Sequence, residues 1–146
     1  MQRVVRTLVV LLIATRSAAC TIEPNPVPDV PAILFDDDTT SRTYGAVDVV
    51  GLSARTLRNL DERRPPNAEW QRILLVQLDT GTAPQEPIVG GTYSIIEERL
   101  RFTPEYAPVP GHSYRVRFDL REVRRVTGAP QDTSGTLDTT VVVGRN

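Results

Sequence analysis

Apolar and polar residues alternate most regularly in two ranges of the chain, 100–103 and 114–121. In the second range every other residue is apolar, namely Tyr114, Val116, Phe118 and Leu120. A period of two is typical of a strand with one buried face. The segment between the two ranges, PEYAPVPGHS, contains three prolines that cannot donate to a strand ladder and a glycine with permissive backbone angles. We therefore expect two half-buried strands, joined by a crossing from one sheet to another.

Shorter apolar runs predict further strands on both sides of this segment. AILF (32–35), AVDVVGL (46–52) and TLDTTVVV (136–143) fit short strands, and IVGGTYSII (88–96) leads into a hairpin turned at Glu97, Glu98 and Arg99. ILLVQLD (73–79) opens with four consecutive apolar residues, so we expect it to be a central strand. The polar range 121–135 is expected to be a loop. Together these elements predict an all-β domain.

One range between the strands has a helical pattern instead. Ser53 is a plausible N-cap for ARTLRNLDERR, in which Leu57 and Leu60 lie on one helical face, and the two prolines at 65–66 stop the helix. A second short turn follows and carries Trp70, which we expect to pack in the core or at its edge. We therefore predict a short helical insert over 53–72 that is separable from the β-domain.

The interrupted segment also predicts a tyrosine corner. Tyr114 follows Gly111 by three residues at the start of the next strand, where a buried ring bonds its hydroxyl back to the loop. The sequence LRFTPEYAPVPGHSYRVRF (100–118) resembles bacterial immunoglobulin-like domains of the S-layer protein type, in which L-x-F-x-P is followed by L-x-P-G-x-x-Y-x-V. Fibronectin type III domains have a similar corner. Two features depart from that family: Val109 replaces its usual leucine, and the insert is longer than such a connection normally needs.

The resemblance implies an immunoglobulin-like or fibronectin III-like β-sandwich, with Pro110, Gly111 and Tyr114 as its structural corner. Domains of this family act as spacers, adhesion modules or supports for neighbouring domains. They have no catalytic residues that can be carried over to this chain.

The N-terminal residues predict export. A basic head, a nine-residue apolar run and small residues make 1–19 a signal peptide, and the run is too short for the roughly 20 residues that cross a bilayer. SAAC (17–20) resembles the lipobox of bacterial lipoproteins, which makes the sole cysteine, Cys20, the expected lipidation site. Cleavage by an ordinary signal peptidase, leaving Cys20 as a free thiol, is the alternative. The prolines of 20–31 predict an extended tether, so the β-sandwich domain spans 32–146.

The charge of the chain and its motifs argue against several classes of function. Removing 1–19 leaves fourteen arginines against eighteen acidic residues, a net charge of −4, which argues against a nucleic-acid partner. The chain has one histidine, His112, and no zinc or phosphate-loop pattern, so we expect no metal and no cofactor. The three aspartates at 36–38 lack the alternate spacing of a calcium loop and are read as a solvated turn. Glu97 and Glu98 are read as turn residues as well, and not as an acid and base pair.

These observations favour a non-catalytic module, lipid-anchored to the bacterial cell envelope at the outer membrane or cell surface, that binds an envelope protein or acts as a support. The alternative is a carbohydrate-binding module that stacks sugars on Trp70, Tyr93 and Tyr106. A purely structural spacer is the third hypothesis. Three arginines are a weaker candidate for contact with an acidic partner: Arg121, Arg124 and Arg125.

Overall fold

The described part of the chain forms a sandwich-like fold of two antiparallel sheets with three short helices. The structure, a computed structural model, describes residues 30–81, 86–128 and 135–144. The strands are β1 Ala32–Phe35, β2 Val47–Val50, β3 Leu74–Asp79, β4 Gly91–Ile96, β5 Arg99–Pro104, β6 Ser113–Asp119 and β7 Thr136–Val142, and the helices are α1 Ala54–Arg63, α2 Asn67–Ile73 and α3 Leu120–Thr127. The expected signal peptide, Cys20 and nearly all of the expected tether lie outside the described residues.

The strands pair in a four-stranded sheet of order β1-β2-β5-β4 and a three-stranded sheet of order β3-β6-β7. β4 and β5 form the expected hairpin, with Glu97 and Glu98 in its turn. The chain crosses between the sheets after β5, as the interrupted segment predicts. β3, however, is an edge strand, and β6 is the central one. The sequence therefore predicted β3 correctly as a strand, but its predicted central position is wrong.

The register of strand pairing shows that the connections between elements lie at two opposite ends of the sandwich. The helices and the β4–β5 turn lie at one end, which we call the helical end. The β1–β2 and β5–β6 connections, with the described part of β3–β4, lie at the other end, which we call the corner end. Ala32 pairs with Val50, just before α1, so the chain enters β1 from the helical end.

The core lies between the sheets because alternation turns one face of each strand inward. Val47, Val49, Leu100 and Phe102 are buried from the four-stranded sheet, and Leu74, Val76, Val116 and Phe118 are buried from the other. Leu57 and Leu60 of α1 and Trp70 of α2 belong to the same cluster. The helical insert is therefore part of the core, which corrects the expectation that it is separable.

Helix α3 corrects a second expectation, since part of the predicted polar loop is helical. The Asp119 side chain accepts hydrogen bonds from the Arg121 and Glu122 backbone N–H groups, and Gly128 ends the helix in the left-handed conformation. Leu120, Val123 and Val126 are buried on its inner face. Among the described helices, none is long and apolar enough to cross a bilayer.

Candidate functional site

The corner end is organised by the predicted corner residues. The Tyr114 ring is buried, and its hydroxyl accepts a hydrogen bond of 2.9 Å from the Val109 backbone N–H, which is tyrosine-corner geometry. Gly111 has φ = +82°, a conformation that favours glycine, and its N–H donates to the Val143 carbonyl. Pro110 precedes Gly111 at an exposed position. The chain is thereby fixed between β5 and β6 and joined to the end of β7.

The β1–β2 loop packs against this corner. Gly45 has φ = +82°, and a Cβ atom there would lie 2.4 Å from a Pro108 side-chain carbon. The Asp36 carboxylate orders the loop by accepting hydrogen bonds from the Ser41 and Thr43 hydroxyls. The bond from Thr43 is the main reason why the pKa of Asp36 is below its ordinary value. Asp36 therefore has a local structural role within the predicted turn at 36–38.

A cleft opens between the sheets at the corner end. Its volume is about 240 Å³. Tyr106 is 78% exposed at the cleft, and Ile88 and Val109 are exposed beside it. The described lining is almost wholly apolar and comes from six stretches of chain: Phe35, Gly45, Val76, Leu78, Pro87, Ile88, Val89, Phe102, Pro104, Tyr106, Ala107, Pro108, Val109 and Tyr114.

Among the described residues, acidic side chains outnumber basic ones at the corner end. Two described arginines, Arg42 and Arg115, lie at the corner end, and Arg115 contacts both Asp79 and Glu86 in ion pairs. Arg115 thus offsets two carboxylates, and Asp36 is bonded within its own loop, so the described exposed carboxylates at this end are Asp37, Asp38 and Glu105. The cleft thus combines an apolar wall with an excess of exposed carboxylates in the loops beside it.

The three aromatic residues of the predicted sugar platform do not form one surface. The rings of Trp70 and Tyr93 stack on each other with centroids 5.5 Å apart, and Trp70 is buried. The Tyr93 hydroxyl donates to the Leu74 carbonyl, and burial raises the pKa of Tyr93 to about 12. Tyr106 lies apart from this pair, at the corner-end cleft. Trp70 and Tyr93 therefore pack at the edge of the core, where both also line a cleft of about 370 Å³.

The remaining candidates are ordinary surface groups. Glu97 and Glu98 are exposed, and His112 is exposed beside Gly111. Arg121 pairs with Asp119, and Arg125 pairs with Glu122 and Glu69, so these two arginines are engaged within the helical end. Arg124, the third arginine of that candidate, is exposed on α3. In the described ranges no cluster of histidine, cysteine or carboxylate side chains is suited to hold a metal ion.

Sequence reasoning named Tyr106 and Tyr114 but missed the cleft between them. The available signal was indirect: PEYAPVP places apolar residues in a loop, where polar residues are more usual. No protein-family model, curated protein or solved structure matches this chain. The candidate site is therefore supported by its geometry alone.

Proposed function

We propose that this protein is a non-catalytic, lipid-anchored module of the bacterial cell envelope that binds a partner protein through its corner-end cleft. The proposal includes an immunoglobulin-like sandwich. Its support is the strand order, because β1-β2-β5-β4 and β3-β6-β7 correspond to the ABED and CFG sheets of immunoglobulin constant-type domains. The Tyr114 hydrogen bond adds a second point of agreement.

The observation that carries the proposed function is the position of the cleft. Chain entry at Ala32 lies at the helical end, and strands of six or seven residues place the corner end about 20 Å away. Residues 20–31 in polyproline II geometry would add up to about 3.1 Å each. A domain anchored at Cys20 would therefore hold its cleft away from the membrane, where a partner can approach it.

Other exposed apolar residues are less suited to docking. The outer face of the four-stranded sheet has the Asp48–Arg101 ion pair between the exposed side chains of Leu34 and Ile96. The outer face of the other sheet has the Arg117–Asp138 pair. Exposed apolar residues that stand singly are normal on a soluble surface. At the corner end, by contrast, three of them line one cavity.

The test is crosslinking in the native envelope, capture of the tagged protein and mass spectrometry. We expect one protein partner with the wild-type chain, and loss of that partner with Ala107→Trp, which fills the cleft mouth with an exposed side chain. Leu34→Trp is the matched control, because it adds the same bulk on an outer sheet face.

Cys20→Ser, analysed in parallel by membrane fractionation, should move the protein from the membrane to the soluble exported fraction. Retention of glycan in place of protein would support the carbohydrate-binding alternative. Recovery of neither would support the spacer. If the Ala107→Trp variant still captured the partner, the interface would have to lie outside the cleft.

A further inference from the structure

We infer that the corner-end cleft takes one bulky apolar side chain from a partner segment whose flanking residues are basic. The inference rests on the proposed function and specifies the chemistry of the partner. It depends on three features of the described residues: the size of the cleft, the lack of orienting polar groups in its wall, and the charge around it.

The size favours a side chain over a larger ligand. Pockets for small molecules and cofactors commonly measure about 300–1,000 Å³, whereas an apolar cavity of about 150 Å³ suffices for a benzene ring. At about 240 Å³ the cleft lies between these values. One tryptophan, phenylalanine or leucine side chain fits that space.

The wall has few groups that could orient a polar ligand. Tyr106 and Tyr114 are the described lining residues with polar side chains, and the Tyr114 hydroxyl already accepts the Val109 N–H. A sugar ring or a cofactor needs several convergent hydrogen bonds. An apolar side chain needs none, and it is a frequent anchor at the centre of protein interfaces.

The charge around the cleft selects the residues beside that anchor. Glu105 is exposed and directly precedes Tyr106, and the exposed Asp37 and Asp38 follow Phe35 by two and three residues, so acidic side chains adjoin two stretches of the lining along the chain. The helical end, counted as the helices, their caps and the turn residues 97–99, has nine arginines and seven carboxylates. The negative charge is therefore local to the corner end. Arginine or lysine beside the anchor would complement it.

The same charge disfavours a symmetric dimer through this face. Two corner ends brought together would juxtapose like charges, which suppresses association. The occupant is therefore a different protein segment and not the same face of a second copy.

The test uses synthetic peptides with a central tryptophan and flanking arginine, serine or glutamate, titrated calorimetrically into the full chain carrying Cys20→Ser in detergent-free buffer. That substitution lets binding be measured whether or not the natural protein is lipidated. We expect the arginine-flanked peptide to bind and the glutamate-flanked peptide to bind roughly tenfold or more weakly, with a difference that shrinks at high salt. Replacing the central tryptophan by serine should abolish binding.

Matched variants locate the peptide. Tyr106→Ser and Ala107→Trp should each weaken binding about tenfold or more, since both change the anchor contact, while Leu34→Ser should not. Glu105→Gln should reduce the preference for arginine, while Glu62→Gln on α1 should leave it unchanged. Circular dichroism checks that each variant is folded.

Several outcomes would overturn the inference: equal binding of arginine-flanked and glutamate-flanked peptides, binding indifferent to Ala107→Trp, or no binding by any peptide of the set. So would free indole binding as tightly as the arginine-flanked peptide, which would show that the flanking residues contribute nothing, or self-association at the corner end. A different result is that partner capture in the envelope depends on Ala107 although no peptide binds. In that case the proposed function is supported, and the inferred chemistry of the partner is wrong.

Discussion

At the scale of single residues, Tyr114 fixes the connection between the two sheets at the corner end. Its ring is part of the cleft wall, and its hydroxyl holds the backbone at Val109, which is another wall residue. The same side chain thus shapes the cleft and fixes the crossing between sheets. Its contribution to stability is separable from that of Tyr106, because Tyr106 is exposed on the same cleft.

Replacing Tyr114 by phenylalanine should lower the free energy of unfolding by about 1 kcal/mol, because it removes one hydrogen bond and keeps the buried ring. Urea denaturation measures this change. Tyr106→Phe is the control, and we expect it to leave the midpoint unchanged. A Tyr114→Phe variant as stable as the wild type would show that the corner bond contributes nothing.

We expect the burial of Tyr93 to make the domain less stable at alkaline pH. Burial raises its pKa from the ordinary 10.0 to about 12, so the folded state keeps the phenol proton more tightly than the unfolded chain does. The stability that neutral Tyr93 contributes is fully present below pH 10 and is lost as the pH rises through about 12. Unfolding free energies measured across this window should fall less steeply for Tyr93→Phe. The same slope for both proteins would contradict the role of Tyr93.

At the scale of elements, two cross-strand ion pairs offer a comparison. Asp48 lies directly opposite Arg101 on β2 and β5, and Arg117 lies directly opposite Asp138 on β6 and β7. The side chains of the first pair are 12% and 16% exposed, whereas those of the second are 46% and 49% exposed. Arg99 also contacts Asp48, so removing Asp48 would leave two arginines without this partner.

We expect Asp48→Ala to cost about 2 kcal/mol, between the values typical of exposed and of buried pairs. Asp138→Ala should cost about 0.5 kcal/mol or less, because solvent and salt already screen the exposed pair. Denaturant titrations of both variants give the comparison. Equal losses would mean that partial burial on this sheet face does not strengthen the pair.

The elements also show which features the sequence could predict. Strict alternation over β5 and β6 predicted both strands correctly, because each turns one face into the core. The apolar run of β3 predicted a central strand, whereas β3 lies at the edge of its sheet. Its apolar residues are nevertheless covered, because α2 and residues 86–89 pack against it. The Leu78 N–H donates to the Pro87 carbonyl, and the Val89 N–H donates to the Val76 carbonyl. Helix α3 had readable signals in the Asp119 cap and Gly128, but its arginines obscured the buried stripe.

At the scale of the whole molecule, the cleft could not have been predicted from local pattern. Its lining comes from stretches as distant as Phe35 and Tyr114, and its volume depends on how far apart the two sheets stand at the corner end. The net charge of the chain did not reveal it either. The acidic corner end and the arginine-rich helical end become distinct only after strand register places each loop.

The helices and the sandwich should unfold as one unit, because α1 places Leu57 and Leu60 in the cluster that contains residues of both sheets. Leu60 is fully buried, and Leu60→Ala should destabilise the whole domain by about 3 kcal/mol through lost burial and a residual cavity. Leu34→Ala, at an exposed position, is the control and should change little. Trp70 fluorescence and far-ultraviolet circular dichroism should report the same midpoint in each variant. If Trp70 lost its environment before the strands unfolded, α1 and α2 would be a separate unit after all, as the sequence first suggested.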